Sequence, residues 1–511
     1  MSKAATQPCP GLPGQPAPVP TECVIGRTPA SPLWLCLGLP RLPLEVRSGG
    51  CAEEDARVIV DHAGRVVQAS APAAESGVAP GLPLNAARAL CPELVVLERD
   101  EAAERAALAR LAAWAGAFTS VVSLVSPAAL LLEVRGSLRL FGGLEALRRR
   151  VRDALHATGH ACREAVAPTP LAALWLARAG QAQAVTDPAA LAGRIGRLRP
   201  AVTGWPEATL TILRGLGIES LADCLRLPRD GFARRVGREP LADLDRALGR
   251  IPDPRAGFRP PPRYRGELEL AAETTATACL AHALRGLFVE LEGFLRARQR
   301  AVSCLAIRLA HLRHPATGLE LGLARPGLEA AHFDALFAER LERLALPAPV
   351  ISVALEAVPG EPFDPALAGL FGDESGSTAG FRLVERLRAR LGREAVHGLC
   401  LLDEHRPEHA WRVAEPGSDS YAAAPAGERR PGWLLAPPRP LRSREGRPWL
   451  AGALRMESGP ERLETGWWDG DEIARDYWIA RTPAGARLWI FHELSGEGPG
   501  RGHWFLHGIF G

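Results

Sequence analysis

The stretch Val125–Gly143, with the sequence VSPAALLLEVRGSLRLFGG, decides the fold that we predict for this chain. Its apolar residues Leu130–Leu132 and Val134 predict a strand buried in a sheet. The chain is expected to leave that sheet at Gly136 and to enter a new helix after the pair Gly142–Gly143. Strands and helices alternate around this stretch, which predicts a mixed sheet with helices packed against it.

Composition sets broad limits. A chain of 511 residues with 47% hydrophobic content can form several cores, so we expect three or four domains. The net charge of +3 neither requires nor excludes a nucleic-acid partner. The ten cysteines lie singly, which predicts buried thiols in a reducing cytosol and no zinc site. No apolar run of about 18 residues occurs, so we expect a cytoplasmic protein, with a disordered tail at 1–31.

The acidic positions of the central stretch are incomplete. Ser126, Leu130–Leu132 and Glu133 resemble the palm-strand motif of the Y-family translesion DNA polymerases. Two adjacent acids of that motif bind metal ions, and their places here hold Ala128 and Ala129. Phosphoryl transfer by two metal ions needs clustered carboxylates. The resemblance therefore implies a polymerase-like fold that lacks the catalytic metal site.

An earlier apolar run, Leu33–Leu39, predicts a strand buried on both faces in the centre of a sheet. The residues after it, Arg41–Val46, resemble the end of another Y-family motif. When Glu45 is aligned with the glutamate of that motif, Cys36 and Gly38 take the places of its two acids. The resemblance implies that no metal or other cofactor is bound and that nucleotidyl transfer is not expected.

The Y-family fingers motif is similar to Ser76–Leu82, which follows a hairpin predicted at residues 57–69. The backbone-shaping glycines of the motif are kept. The tyrosine and arginine that hold the incoming triphosphate are replaced by Ala71 and Ala74. The resemblance therefore implies that no nucleotide-binding residues remain.

Residues 209–227 resemble one helix-hairpin-helix unit of a polymerase thumb. Its turn contains Gly215 and Gly217, and in such units backbone N–H groups face a DNA phosphate. Phosphate binding and plain turn geometry are both open for this turn. Five arginines follow, either as a solvated face or as DNA contacts, namely Arg226, Arg229, Arg234, Arg235 and Arg238.

Hydrophobic spacing predicts the next domain without any motif. Leucines recur at helical spacing in Leu284–Leu295 and alternate in Leu305–Leu309 and Leu319–Leu323. With the flanking segments they give the order β-α-β-β-α-β, a split βαβ fold. This order and its place in the chain match the little finger of Y-family polymerases, a domain that lies along duplex DNA.

Two later regions are candidates for protein contacts. Leu370 and Phe371 faintly resemble the peptide that docks in bacterial sliding clamps, but Leu367 replaces its glutamine, so an amphipathic linker stays open. Seven of the twelve tryptophans lie in residues 432–511. The partner-binding candidates there, which form either a recognition surface or the core of a small β module, are Trp467, Trp468, Tyr477, Trp478, Trp489, Trp504 and Phe505.

The predicted fold is an α+β multidomain one, a Y-family polymerase-like right hand followed by a Trp-rich β module. The expected segments are a disordered tail at 1–31, a palm at 32–195 with fingers inserted at about 48–100, a helical thumb at 196–252, a Pro-rich linker at 253–264, a little finger at 265–358, a linker at 359–431 with a helix at 380–392, and a C-terminal module at 432–511.

The segments Trp433–Pro440, Gly466–Gly470 and Trp504–Gly508 resemble the signature tail of a non-catalytic Y-family branch from bacterial mutagenesis cassettes. The resemblance implies an adaptor in error-prone translesion synthesis that binds damaged primer-template DNA without sequence preference. It also implies a RecA-like partner, ImuA, and an error-prone DNA polymerase of the DnaE2 type. The sliding clamp is a further implied partner.

Two alternatives stay open. One is a working polymerase that takes its metal ligands from other acids, such as Glu45, Asp55, Asp61 or Glu133. The other is a DNA-binding structural protein without a polymerase partner, in which the aromatic residues of the tail form only a core.

Overall fold

The computed structural model describes residues 31–48, 55–360, 362, 376–416, 430–494 and 502–511. Two compact units divide them: residues 31–38, 129–148 and 163–256 form the first, and the other described residues form the second. The clamp-like residues Leu370 and Phe371 lie outside the described part of the chain. Within that part, no helix is long and apolar enough to cross a membrane.

Short strands and helices alternate in the first third of the chain. In chain order they are β1 (Trp34–Gly38), α1 (Leu42–Ser48), β2 (Arg57–Val60), β3 (Val66–Ala69), α2 (Ala71–Glu75), α3 (Leu84–Leu90), β4 (Val95–Glu98), α4 (Glu101–Ala115), β5 (Val122–Val125), β6 (Ala129–Glu133), α5 (Leu138–Phe141), α6 (Leu144–Ala157), β7 (Arg163–Ala167) and α7 (Pro170–Arg178).

The first unit is built on the antiparallel strands β6, β1 and β7, with β1 in the middle. Leu35 and Leu37 of β1 are fully buried, which confirms the predicted central strand. Helix α7 packs against β1 and β7. It begins at Pro170, whose fixed φ suits the first helical position, and the Thr169 hydroxyl accepts a hydrogen bond from the N–H of Ala172 as an N-cap.

The first unit continues with short helices. They are α8 (Pro188–Gly196), α9 (Glu207–Gly215), α10 (Leu221–Arg226), α11 (Arg229–Arg235) and α12 (Arg238–Ala247). The Thr169 hydroxyl that caps α7 also donates to the carbonyl of Ala247 at the end of α12, 2.7 Å away. Helices α9 and α10 lie on either side of the turn predicted to contain Gly215 and Gly217, but Gly215 is the last residue of α9, so that only Gly217 lies between the two helices.

The second unit begins with a small three-stranded sheet. Strands β2 and β3 form the predicted antiparallel hairpin, and β4 adds to β2 in parallel, a strand that the sequence analysis missed. Val58, Val66, Ala73, Val78 and Ala87 form its core with α2 and α3. Helix α4 follows, and the Asp100 carboxylate caps it by accepting from two backbone N–H groups.

A larger sheet domain follows in the second unit. Its elements are β8 (Tyr264–Thr274), α13 (Thr277–Arg296), β9 (Val302–His311), β10 (Thr317–Gly327), α14 (Ala330–Leu341) and β11 (Val350–Ala357), which confirms the predicted β-α-β-β-α-β order. The antiparallel strand order is β10-β9-β11-β8. Buried leucines and phenylalanines of α13 and α14 form one core with the sheet.

The rest of the second unit is richer in strands. Its elements are α15 (Gly376–Leu391), β12 (Gly398–Leu401), β13 (Trp411–Ala414), β14 (Trp433–Pro440), β15 (Arg442–Arg444), β16 (Arg447–Trp449), β17 (Arg455–Thr465), β18 (Ile473–Arg481), β19 (Arg487–Glu493) and β20 (Trp504–Ile509). The last module is a five-stranded sheet of order β14-β20-β19-β18-β17. The predicted β module and its hairpin, now β18 and β19, are confirmed, and α15 begins earlier than predicted.

The α+β fold class is therefore confirmed. The limits of the predicted palm, fingers, thumb, little finger and linkers stay predictions, because element bounds alone do not test them.

Candidate nucleic-acid interface

The four positions predicted to have lost metal ligands lie on or next to two paired strands. Gly38 of β1 lies directly opposite Ala129 of β6, and Cys36 lies opposite Leu131. Directly opposed residues of antiparallel strands point to the same face. Cys36 is fully buried, Ala129 is buried, and Ala128 is half-buried just before β6. These positions present a thiol and methyl groups, whereas Mg²⁺ prefers oxygen ligands.

Glu133, the acid nearest in sequence, lies at the opposite end of β6. It pairs with Trp34, whereas Ala129 pairs with Gly38, so about 13 Å of strand separates them. Its Oε1 accepts hydrogen bonds from the backbone N–H groups of Leu33 and Arg135, at 3.0 and 3.1 Å. This carboxylate therefore holds the backbone of Leu33 and Arg135 together at this end of β6.

The other three acids of the active-polymerase alternative are also engaged locally. Glu45 lies 2.7 Å from His160 Nδ1 and also accepts a backbone N–H. Asp55 pairs with Arg57 at 2.9 Å, and Asp61 accepts two N–H groups of its own turn. Across the described ranges, no group of three or more His, Cys, Asp or Glu side chains could hold a metal ion.

The positions predicted for triphosphate contacts lie on the short helix α2. Ala71 and Ala74 are both exposed, and their methyl groups offer a phosphate nothing to bind. The glycines that follow have a structural reason to be glycine. Gly77 and Gly81 have φ values of +87° and +89°, in the left-handed region that residues with a β-carbon rarely adopt. The kept residues of this motif thus shape the backbone.

Three backbone N–H groups of the turn between α9 and α10 form hydrogen bonds within the protein. Those of Leu216, Gly217 and Ile218 all donate to carbonyls of α9, and Gly217 has a φ of +69°. At the start of α10, Ser220 and Asp223 form a capping box, so the Asp223 carboxylate lies at that N-terminus. Hydrogen bonding lowers the pKa of Asp223, which keeps it negative. Gly217 thus shapes this turn, and phosphate binding by Gly215 and Gly217 stays a prediction.

Two of the five predicted DNA-binding arginines have carboxylate partners. Arg226 donates to Asp223 at 3.0 Å, and Arg229 forms two bonds with Asp245. Asp245 is buried, and the hydrogen bond from Arg229 lowers its pKa. The Arg229 guanidinium, although 56% exposed, is therefore engaged by a carboxylate of this helical region.

The other three arginines are available for an anionic ligand. Arg234, Arg235 and Arg238 are exposed at the end of α11 and the start of α12. In this fully described region no carboxylate forms an ion pair with any of them, although Arg234 donates to the Asp230 carbonyl. Exposed guanidinium groups are suited to phosphate oxygens. This group of three is the best candidate for DNA contact within the first unit.

The aromatic residues of the C-terminal module divide into a core and a surface. Tyr477 and Trp489 are about 1% and 2% exposed, and their rings stack 4.1 Å apart. Trp478, Trp504 and Phe505 are half-buried. The core explanation therefore applies to Tyr477 and Trp489, which a partner could not reach in this fold.

Trp467 and Trp468 are the exposed members of the set, at 70% and 57%. Their rings meet edge to face at 4.8 Å in the connection between β17 and β18. Arg406, 4% exposed and bonded to Asp469, holds this connection, and its guanidinium lies 5.8 Å from the Trp468 ring. An aromatic pair fixed in this way is typical of a binding surface.

The sequence analysis missed a second apolar surface. On the hairpin of β12 and β13, Leu399 lies opposite Val413 and Leu401 lies opposite Trp411. All four side chains are exposed, by 45% to 69%. The alternation of residues along both strands was the signal that could have identified this face.

Comparison with known proteins shows what the chain is similar to. The model of the impB/mucB/samB family matches residues 43–178, a range that includes β6 and α7. This match shows that residues 43–178 are similar to that family. The chain is further ImuB-like. It is 29% identical over 461 residues to the protein ImuB from two strains of Caulobacter vibrioides, covering 85% of this chain and all of that protein.

Two solved structures are similar at low identity. One is a Y-family DNA polymerase chimera of Dbh and Dpo4, at 14% identity, and the other is DinB from Sulfolobus solfataricus, at 15%. Each comparison has a TM-score of 0.38 and covers 64% of this chain and 98% of the solved one.

Proposed function

We propose that this protein is a non-catalytic Y-family-like adaptor in DNA damage tolerance. It binds damaged primer-template DNA and recruits an error-prone polymerase for translesion synthesis. The observation that carries the proposal is the pairing of Gly38 with Ala129 at the positions of the expected metal ligands. Without clustered carboxylates, two-metal nucleotidyl transfer has no site on these strands.

The engagement of the remaining acids supports the same conclusion. Glu133 and Asp61 accept backbone N–H groups, and Glu45 faces His160. Recruiting any of them as a metal ligand would break these bonds and leave donors without partners. This weighs against the active-polymerase alternative.

DNA binding in the proposal relies on charge. Arg234, Arg235 and Arg238 would contact the phosphate backbone and fix the position of the protein without selecting sequence. The proposed partners are ImuA, a RecA-like protein, and a DnaE2-type polymerase. The exposed pair Trp467 and Trp468 is the proposed contact for one of them. Clamp binding through Leu370 and Phe371 is a further proposal, which rests on sequence alone.

Primer extension tests the catalytic part of the proposal. Purified protein is incubated with a primed lesion template, all four deoxynucleotides and either Mg²⁺ or Mn²⁺, beside an active Y-family polymerase as positive control. We expect no extension with either ion. Extension that survives repurification, and that disappears in a Glu133→Gln or Glu45→Gln variant, would establish the active-polymerase alternative.

A pull-down tests the recruiting part. Full-length protein with Trp467→Ala and Trp468→Ala is compared with Trp433→Ala, an exposed tryptophan of the same module, at 68% exposure. We expect the double variant to lose ImuA or the DnaE2-type polymerase, and the control to keep both. If the wild-type protein binds DNA but captures neither partner, the DNA-binding structural alternative is correct.

A further inference from the structure

One face of helix α13 is unlike the rest of the helix. Leu284, Leu287 and Leu291 enter the core of the sheet domain formed by residues 264–357. Gly286, Glu290 and Gly293 are spaced four and three residues apart, which places them on one helical face. Helix α13 packs against α4.

The two glycines permit an approach that no other residue would allow. A β-carbon on Gly293 would overlap the indole ring of Trp114 on α4. A β-carbon on Gly286 would lie 2.8 Å from the carbonyl oxygen of Thr158. From the opposite side, a β-carbon on Gly116 would lie 3.0 Å from Ala297. The backbone of α13 therefore packs directly against the Trp114 ring at Gly293 and against the Thr158 backbone at Gly286.

Between the two glycines, Glu290 forms a buried ion pair. Its Oε2 accepts from Arg110 Nε of α4 at 2.8 Å, and the two side chains are 2% and 12% exposed. The Tyr264 hydroxyl donates to the same oxygen at 3.0 Å. Burial and the neighbouring carboxylate raise the pKa of Tyr264, so it stays a donor. Burial opposes the charge on Arg110, but the Glu290 carboxylate raises its pKa overall.

His160 adds a polar side chain to this interface. His160 Nδ1 lies 2.7 Å from Glu45, and its Nε2 lies 4.0 Å from Glu290 Oε1. If the domain separated from α4, Glu290 and Arg110 would each lose a charged partner. Loss of the contact between Gly293 and Trp114 would at the same time leave a void beside the Trp114 ring.

We propose that the face of Gly286, Glu290 and Gly293 locks the domain of residues 264–357 onto α4 and onto Thr158, the residue after α6, so that these parts move as one rigid body with or without DNA. The proposal does not depend on the proposed function, because it concerns the free protein first.

Single-molecule energy transfer on the full chain tests the lock. Dyes are attached through unnatural amino acids at Arg105 of α4 and at Arg313 in the β9–β10 connection, both exposed. The wild type should show one narrow population of transfer efficiency, unchanged by a primed duplex at saturating concentration. Two populations in the free wild-type protein, or a shift on binding DNA, would refute the lock.

Variants identify the residues that act. Gly293→Ala and, separately, Glu290→Gln should each produce a second population of more than about a tenth of the molecules. The matched controls are Gly322→Ala, where a β-carbon meets open space, and Glu356→Gln in the exposed pair with Arg265. These controls should keep one population. If Glu290→Gln keeps its circular dichroism spectrum and one narrow population, the ionic part of the lock is wrong, whatever Gly293→Ala does.

Discussion

Gly38 and Ala129 lie directly opposite each other on neighbouring antiparallel strands. Cα atoms in such pairs are roughly 4.5–5.5 Å apart, and the two side chains point to one face. Carboxylates at both positions would thus be close enough to share a cation. The side chains now at this pair, those of Gly38 and Ala129, offer no oxygen ligand.

Restoring acids at this pair should create dependence on a divalent cation. The variant with Gly38→Asp and Ala129→Asp should unfold at a lower temperature than wild type, because two like charges face each other near a buried site. Mn²⁺ should raise the melting temperature of this variant and leave that of the wild type unchanged. Differential scanning calorimetry with and without Mn²⁺ measures both effects.

The matched control is Gly38→Asn with Ala129→Asn, which has similar volume without charge. An equal Mn²⁺ shift in wild type, control and acidic variant would contradict the assignment of these positions.

Removing the three available arginines should weaken DNA binding through the phosphate backbone. With Arg234, Arg235 and Arg238 changed to alanine, the negative slope of the logarithm of the DNA-binding constant against the logarithm of salt concentration should become shallower by about 2 to 3. The loss should be equal for unrelated duplex sequences, because phosphate contacts select no sequence. Fluorescence anisotropy at several salt concentrations gives the slope.

Arg226→Ala is the control for that measurement, because Arg226 already pairs with Asp223. Its slope should change by less than that of the triple variant. A triple variant with the wild-type slope would show that DNA binds elsewhere.

Asp245→Asn should destabilise the helical region of the first unit. The carboxylate is buried and binds Arg229 and Arg250, and charged hydrogen bonds contribute about 1.5–3 kcal/mol. Because Arg229 lowers the folded-state pKa of Asp245, this stability is present above the unfolded-state pKa and is lost as pH falls through the folded-state value.

Urea unfolding of wild type and Asp245→Asn between pH 7 and pH 3 measures this effect. The difference in unfolding free energy should shrink toward acid pH. A difference that does not vary with pH would mean that the carboxylate charge is not responsible.

Substitution of a buried tryptophan in the C-terminal module should lower the free energy of unfolding much more than substitution of an exposed one. Trp489→Ala removes a buried ring and should cost about 3–5 kcal/mol of unfolding free energy. Trp467→Ala should change it by less than about 0.5 kcal/mol, because that ring is exposed. Chemical denaturation followed by tryptophan fluorescence compares them, and similar losses would refute the division into core and surface.

His507 should make the C-terminal module sensitive to acid. Burial, with a contribution from Arg475, lowers its pKa to about 4, although Glu408 opposes the shift. The unfolded state takes up the proton near pH 6.5, so stability is lost as pH falls from about 6.5 to about 4. His507→Gln should flatten that part of the profile, measured by hydrogen exchange of β18 and β20, and a profile parallel to wild type would argue against His507.

Local sequence patterns by themselves determined many of the strands of this protein. The buried run at Leu33–Leu39 and the alternation in Leu305–Leu309 identified strands correctly, because burial on one or both faces is recorded in the spacing of apolar residues. The resemblance to Y-family motifs also predicts that Cys36, Gly38, Ala128 and Ala129 take the places of acids, and this stays a prediction.

Only the tertiary structure decided which charged and aromatic side chains are exposed to a binding partner and which are already engaged within the protein. It paired Arg229 with Asp245, buried Tyr477 and Trp489, and left Trp467 and Trp468 exposed. It also brought Glu290 to Arg110, residues 180 apart in the chain. Sequence spacing specifies which face of an element is apolar, but the partner of a charge or an aromatic ring depends on packing between elements that are distant along the chain.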